Sequence, residues 1–290
     1  PAAGSRRGFH VAVLRIRKNK RLNINYLITY KFWGSSPSVT GTVVDGEASF
    51  SIPADQRMNT DSTAKTTSVT TGEGDDAVTR TTVTLPADMS NAWMFAAAEG
   101  VQPGATVTLD FYPAFTAFEL SFEGDAEYDG SITVTKVELI SDSPLAGDVV
   151  ATLNPGTRTN TVGGVDHTIG ASTYVCTASG DAPYTISYTL PENSVVSATD
   201  GFVLTVFALP QDIVGLKLRF SVKIEGEETT FTGTLTKGGA PITFGACEKH
   251  RIKNVAVPGN LWKIFYAPGI VEADQWEEVD DLDGDFIIVE

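Results

Sequence analysis

The chain has 290 residues, of which 42% are hydrophobic and 20% are charged, a composition typical of soluble globular proteins. No apolar run approaches the roughly 18 residues of a membrane-spanning helix, and no G-x-x-x-x-G-K-[ST] or strand-linked G-x-G-x-x-G motif supports nucleotide binding. The net charge of −15 argues against nucleic acid as a partner, because an acidic body repels phosphate.

The first part of the chain contains short runs in which apolar and polar residues alternate. Leu22 to Tyr30 has the period-2 pattern of a half-buried strand, and a shorter strand is predicted to end before Pro53. Residues 54–81 are rich in threonine and polar residues, so we interpret them as a long exposed loop. Residues 87–100 fit either a short helix or a buried strand.

Two alternating runs, residues 107–111 and 118–122, predict a pair of strands around Tyr112 and Pro113. The acidic, turn-rich stretch 124–130 follows them. We place a domain boundary in this stretch, which divides the chain into residues 1–126 and 127–290.

The second half contains the clearest periodicity of the chain. Leu216 to Ile224 alternates strictly and predicts a strand, with residues 229–236 as its hairpin partner. The run from Ile132 to Ile140 changes its apolar phase near Lys136, which predicts a β-bulge. Further strands are predicted at residues 173–177, 184–190, 202–209 and 242–244.

Strands of this length, separated by glycine and proline turns and with almost no helical periodicity, predict an all-β protein. The length fits two antiparallel β-sandwich domains. An isolated meander cannot bury its apolar face, so each sheet needs a second layer.

Charge is distributed unevenly along the chain. Residues 1–44 carry eight basic side chains and no acidic one, whereas the remainder has a net charge of −23. A basic segment of this kind can bind nucleic acid or an acidic membrane, but a solvated leader explains it more simply.

The residues able to support catalysis or bind metal are few and dispersed. Cys176 and Cys247 can either form one disulfide or remain as two buried thiols. His10, His167 and His250 show no spacing typical of a zinc site or a catalytic triad, so we predict no enzyme, no cofactor and no metal. We assign His167 to a glycine-rich loop and His250 to an edge-like basic segment.

The C-terminal part of the chain is acidic. Residues 272–290 contain nine acidic residues and no basic one, and Asp281 to Asp285 superficially resembles a calcium-binding loop. Gly284 is misplaced for that loop, and an acidic linker explains the run as well.

The terminal residues Phe286, Ile287, Ile288 and Val289 are strongly β-prone, so they require a strand partner. The partner is either the chain's own sheet, where the segment would form an edge strand, or another subunit that accepts it as a donor strand. Burial of Phe286 and Ile288 would contribute about 1.5 to 3 kcal/mol each.

Three segments resemble a known family when taken in order. They are Leu109–Leu120 (LDFYPAFTAFEL), Phe207–Gln211 (FALPQ) and Phe244–Ile252 (FGACEKHRI), followed by residues 257–262 and Trp276. This order is similar to that in the fimbrillin family, the type V pilins and Mfa-like proteins of Bacteroidota. The likeness covers about residues 83–290, and Cys247 and His250 stand where the family is expected to have glycine and tyrosine.

The resemblance implies two transthyretin-like β-sandwich domains and no catalysis. It further implies a fimbrial subunit that assembles by donor-strand exchange and has an adhesive role. The expected partners are other pilin subunits and surface receptors, and the expected location is the outer membrane or cell surface, reached through a lipid anchor on the precursor.

Two kinds of processing site follow from the same resemblance. Arg7, Arg17 and Arg21 are candidates for cleavage by an Arg-specific protease. Ser62, within Asp61-Ser62-Thr63, is a candidate for O-glycosylation.

An alternative function is a monomeric surface sandwich that binds carbohydrate or another ligand. In that case exposed Trp33, Trp262 or Trp276 would serve as stacking platforms.

Overall fold

A computed structural model describes residues 30–36, 46–74, 77–102, 105–124, 128, 130–179, 183–192, 194–224, 226–237, 240–257, 266–274 and 282–288. Among these residues there is no α-helix, and a turn of 3-10 helix lies at Met89–Asn91. None of them forms a helix long and apolar enough to cross a membrane.

The first twelve strands are β1 Tyr30–Ser36, β2 Glu47–Ile52, β3 Asp55–Arg57, β4 Lys65–Thr71, β5 Val78–Thr84, β6 Met94–Val101, β7 Tyr112–Pro113, β8 Thr116–Gly124, β9 Ser131–Ile140, β10 Gly147–Thr152, β11 Thr157–Val162 and β12 Val165–Gly170. The remaining strands are β13 Thr173–Ala178, β14 Thr185–Thr189, β15 Val195–Ser197, β16 Asp200–Ala208, β17 Ile213–Val214, β18 Lys217–Ile224, β19 Glu227–Lys237, β20 Ala240–Pro241, β21 Thr243–Phe244, β22 Lys249–Val257, β23 Tyr266–Asp274 and β24 Leu282–Ile288.

A fourteen-stranded sheet is the largest element, with the order β3-β14-β9-β18-β19-β24-β23-β22-β8-β16-β5-β4 and with β15 and β20 attached at its sides. Four strands lie between β18 and β8 in this order, yet the rings of Phe220 and Phe122 are 5.7 Å apart. The sheet therefore folds back over its own apolar face. Phe118, Leu120, Val137, Leu204 and Leu218 are fully buried in the core that it encloses.

Two three-stranded sheets, β1-β6-β7 and β13-β10-β2, enclose a second, smaller core. Phe50 of β2 packs against Phe95 of β6 with ring centroids 5.5 Å apart, so the two sheets face each other. The apolar faces of both sets of sheets are thus covered by a second layer, as in a β-sandwich.

The prediction of an all-β sandwich fold is confirmed, while the transthyretin-like detail stays a prediction. Strands on either side of residue 126 pair with one another, since β2 pairs with β10 and β8 pairs with β16. The division of the chain into domains 1–126 and 127–290 also stays a prediction.

The hairpin β18–β19 forms as its alternation predicts, with Ile224 paired to Glu227. The predicted bulge is confirmed, because the pairing of β9 with β18 shifts between Lys136 and Val134. Thr135 is the extra residue.

Two predictions were wrong. Residues 54–81 are not a loop, since they contain β3, β4 and part of β5. Threonine favours extended backbone even when exposed, and Thr70 and Thr79 join β4 to β5 through hydroxyls 2.8 Å apart. Residues 107–111 form no strand despite their alternation.

Replacement of Phe122 by alanine tests the folded-over sheet. Phe122 is fully buried and contacts both Phe202 and Phe220. We expect Phe122→Ala to lower the free energy of unfolding by about 3 to 5 kcal/mol, because it leaves a cavity. Val175→Ala, at a site that is 67% exposed, should change it by less than about 0.5 kcal/mol. Urea titration followed by circular dichroism measures both, and equal effects would contradict this packing.

Candidate functional site

The terminal strand β24 lies between two strands of its own chain. On one side, Gly233 of β19 pairs with Ile288 and Thr236 pairs with Asp285. On the other side, Tyr266 of β23 pairs with Ile287 and Val271 pairs with Leu282. Of the four predicted donor residues, Phe286, Ile287 and Ile288 belong to β24. Val289 lies outside the described residues.

The pairing within the chain corresponds to the intramolecular alternative, except that β24 is an internal strand rather than an edge strand. Removal of β24 would leave residues 233–236 of β19 and 266–271 of β23 without a partner on that side. Both open edges would be antiparallel to the strand that they accept. The slot between β19 and β23 is therefore the candidate assembly site.

The three segments that carry the family resemblance meet at β8. Phe207 of β16 is the register partner of Ala117, and His250 of β22 is the partner of Phe118. The Phe118 ring also contacts the ring of Phe244, with centroids 5.3 Å apart. These segments therefore build the junction between the larger and the smaller core.

The residues between β21 and β22, Gly245 to Glu248, are buried at this junction. We call residues 245–248 the junction loop. Cys247 adopts a φ of 61°, a conformation that usually requires glycine, and its backbone N–H donates to Thr116 Oγ1 at 3.2 Å. A Cβ on Gly245 would clash with the carboxyl group of Glu248.

Glu248 is 2% exposed and lies between two buried histidines. Its Oε1 is 3.5 Å from His167 Nδ1, and its Oε2 is 3.8 Å from His250 Nε2. His250 Nε2 lies 3.1 Å from the carbonyl oxygen of Gly245, to which its N–H donates. Glu248 Oε1 and His167 Nδ1 make no hydrogen bond among the described residues.

Burial dominates the protonation of this cluster. Loss of hydration raises the pKa of Glu248 to about 7, and the nearby carboxylate of Asp212 adds to the increase. Burial lowers the pKa of His250 to about 4, although its hydrogen bond to Gly245 opposes this change. Burial also lowers the pKa of His167. Both imidazoles are therefore neutral at pH 7.

The two cysteines are unpaired thiols in this structure. Burial raises the pKa of the Cys176 thiol to about 11, and it raises the pKa of the buried Cys247 thiol as well. Neither thiol is activated as a nucleophile, since the thiolate is the reactive form. The described part of the chain contains no group of three or more side chains placed to bind a metal ion.

The assignments of His167 to a loop and His250 to an edge were wrong. His167 lies in β12 on the same face as buried Ile169, and His250 lies in β22 on the same face as buried Ile252. The shared period-2 face with an isoleucine was the signal in the sequence. A histidine is polar enough that this signal is easily read as an exposed position.

Of the remaining predicted sites, the structure describes only Ser62 in full. Ser62 lies in an exposed turn between β3 and β4, and its glycosylation stays a prediction. The side chain of Trp33 is not described. The other predicted sites, Arg7, Arg17, Arg21, His10, Trp262 and Trp276, lie outside the described residues.

No family model matches the chain, and no curated protein matches it either. Among solved structures, it is similar to a candidate cell adhesion protein of Bacteroides ovatus, with 17% identity and a TM-score of 0.43 over 95% of this chain and 75% of the other. It is also similar to a candidate cell adhesion protein of Bacteroides uniformis, with 11% identity and a TM-score of 0.45 over 86% and 73% of the two chains.

A Glu248→Gln variant tests the protonation of the junction. The folded chain keeps the Glu248 proton up to about pH 7, whereas an unfolded glutamate releases it near pH 4.5. The contribution of Glu248 to stability is therefore complete below about pH 4.5 and falls as the pH rises to about 7. As the pH rises through this range, we expect the free energy of unfolding of Glu248→Gln minus that of the wild type to increase by roughly 3 kcal/mol.

Both proteins also contain His167 and His250, whose lowered pKa values reduce the free energy of unfolding as the pH falls below about 6.5. Because the two proteins share this effect, the difference between their free energies of unfolding reports Glu248. Urea titrations at pH 5 and pH 8 measure the difference. Glu227→Gln, at an exposed site on β19, is the matched control. A difference that does not change with pH would show that Glu248 is ionised throughout.

Proposed function

We propose that this protein is a structural subunit of a cell-surface fibre and that it assembles by exchange of its terminal strand. Each subunit inserts residues 282–288 into the slot between β19 and β23 of a neighbour. The fibre serves adhesion, and the precursor reaches the outer membrane through a lipid anchor.

The observation that carries the proposal is the position of β24. It is a seven-residue strand near the C-terminus that fills a slot between two strands, and the acidic stretch 275–281 connects it to β23. Its pairs with β19 and β23 join backbone groups, so the same strand of another copy can form the same pairs.

The second support is the sequence resemblance to the fimbrillin family, whose three segments converge on β8. Ala117 pairs with Phe207, which is 90 positions away in the chain, and with Lys249, which is 132 positions away. A set of family-like segments that forms one connected structure is better evidence than the same segments taken singly.

Cysteine cross-linking tests strand exchange directly. Thr234 and Ile287 are register partners, so we place Thr234→Cys in one chain and Ile287→Cys in another, both with Cys176→Ser and Cys247→Ser. A mixture of the two chains at high concentration should form a disulfide-linked dimer upon oxidation. Non-reducing electrophoresis measures the product, and electron microscopy of the wild-type chain should show oligomers of graded length.

Two controls accompany the cross-linking. Thr234→Cys mixed with Asp283→Cys has the wrong register and should not cross-link, while a single chain with Thr234→Cys and Ile287→Cys should close on itself. A chain that ends at Asp281 cannot donate a strand and should form no fibres. If only the double variant cross-links and the wild type stays monomeric, strand exchange is refuted, and a glycan-binding screen then tests the alternative function.

A further inference from the structure

Strand β4, residues 65–71, ends the fourteen-stranded sheet, and among the described residues it pairs with β5 alone. All seven of its residues are exposed. The strand at the opposite end of the sheet, β3, is only three residues long and carries Asp55 and Arg57. Short and charged edge strands resist pairing with another chain, whereas a long edge strand without interior charge, proline or bulge favours it. Strand β4 is of the second kind from Thr66 to Thr71.

The direction of the backbone groups of β4 follows from its neighbour β5. The N–H of Thr81 donates to the carbonyl oxygen of Thr199, 2.7 Å away, on the side of β5 that faces β16. The N–H and C=O of one strand residue point to the same side, so those of Thr81 point away from β4. Ser68 is the register partner of Thr81 and therefore makes no backbone hydrogen bond to β5. Its own N–H and C=O point to the open edge of the sheet.

The same orientation applies to Thr66 and Thr70, because the ladder between β4 and β5 runs without a register shift. The side chains agree with it. Paired residues approach most closely where they share no backbone hydrogen bond, and the hydroxyls of Thr70 and Thr79 are 2.8 Å apart while those of Ser68 and Thr81 are 3.3 Å apart. The open edge of β4 thus presents the N–H and C=O groups of alternate residues in a regular row.

The sequence of β4 is self-complementary about Ser68. In an antiparallel pair of two β4 strands centred on this residue, Ser68 faces Ser68, and Thr66 faces Thr70 in both directions. All seven residues are then opposed, and the residues whose groups point outward face one another, as the hydrogen-bonded pairs of an antiparallel ladder require. A shift by one residue would place Ser68 opposite a residue whose groups point to β5, and a shift by two would shorten the overlap.

The charges of the β4–β5 ribbon also suit a second copy of this chain. The two strands contain Lys65 and Arg80 and no acidic residue, although the chain has a net charge of −15. Two acidic copies can therefore approach each other here with little repulsion. In the centred register, Lys65 faces Thr71 of the second copy, and exposed Glu73 follows two residues later. Opposite charges at such a diagonal position attract each other, and the two-fold symmetry repeats the contact.

We propose that β4 is an interface for a second copy of this chain. The two β4 strands pair antiparallel about a two-fold axis through Ser68, and the two large sheets continue into each other. The same patch serves both copies, as a closed dimer requires. The interface does not depend on strand exchange, because β24 and the slot between β19 and β23 lie elsewhere in the sheet.

Replacement of Ser68 by proline tests the backbone pairing. Proline removes the outward N–H and leaves the hydrogen bonds between β4 and β5 in place, so an edge strand tolerates it at this position. We expect sedimentation equilibrium of the full chain to show a monomer–dimer equilibrium. Ser68→Pro should raise the dissociation constant of the dimer by about tenfold or more, because the two hydrogen bonds at the axis are lost. Ser68→Thr, which keeps the N–H and a hydroxyl, should dimerise like the wild type, and circular dichroism checks that both variants are folded.

A pair of charged variants tests the register. Two Ser68→Lys chains place like charges opposite each other at the axis, as do two Ser68→Glu chains, so each variant alone should dimerise less than the wild type. A tagged Ser68→Lys chain on an affinity resin should retain about fivefold more untagged Ser68→Glu chain than untagged Ser68→Lys chain. The same two substitutions at Thr79 are the matched control, because Thr79 lies on β5, away from the open edge, and should show no such preference.

The outcomes separate this interface from strand exchange. A wild-type chain that stays monomeric at millimolar concentration, or a Ser68→Pro chain that dimerises equally, would overturn the proposal. Oligomers formed by exchange of β24 do not involve Ser68, so oligomers that are unchanged in Ser68→Pro would support exchange and overturn the β4 interface. A dimer that is lost in Ser68→Pro, together with no cross-link between the Thr234→Cys and Ile287→Cys chains, would support the β4 interface and refute exchange.

Discussion

The structure depends on the alternation of side chains along β8. This strand pairs on one side with β16 and on the other with β22, so both of its edges are covered. Ala117 points into the smaller core, while Phe118, Leu120 and Phe122 lie in the larger one. Since a slip of one residue would exchange these faces, both cores fix the same register.

A polar cluster at such a junction has an energetic cost. Glu248 and His250 are each 2% exposed, and an ionised group at this depth would lose most of its hydration. The structure reduces that loss below about pH 7, because the raised pKa of Glu248 keeps its carboxyl group protonated and the lowered pKa values of both neighbouring histidines keep their rings neutral. Just below pH 7 the cluster around Glu248 is thus uncharged rather than an ion pair.

Periodicity in the sequence predicted the elements whose burial is regular. Leu216 to Ile224 and its hairpin partner were predicted closely, as was the bulge beside Lys136, because each depends on local alternation. The strands at 65–71 and 78–84 were missed, since both faces of β4 are exposed and a threonine-rich ribbon has no apolar stripe. The junction cluster was missed because His167, Asp212 and Glu248 come together only through tertiary pairing, and polar residues carry no periodic signal of burial.

The position of β24 also limits how strand exchange can work. A strand joined to its own slot by a short connection has a local concentration of about millimolar order, so a neighbour's strand competes poorly at low protein concentration. The backbone pairs are the same in both arrangements, which leaves little difference in hydrogen bonding to favour exchange. Exchange therefore requires either a high subunit concentration or strain in the closed connection.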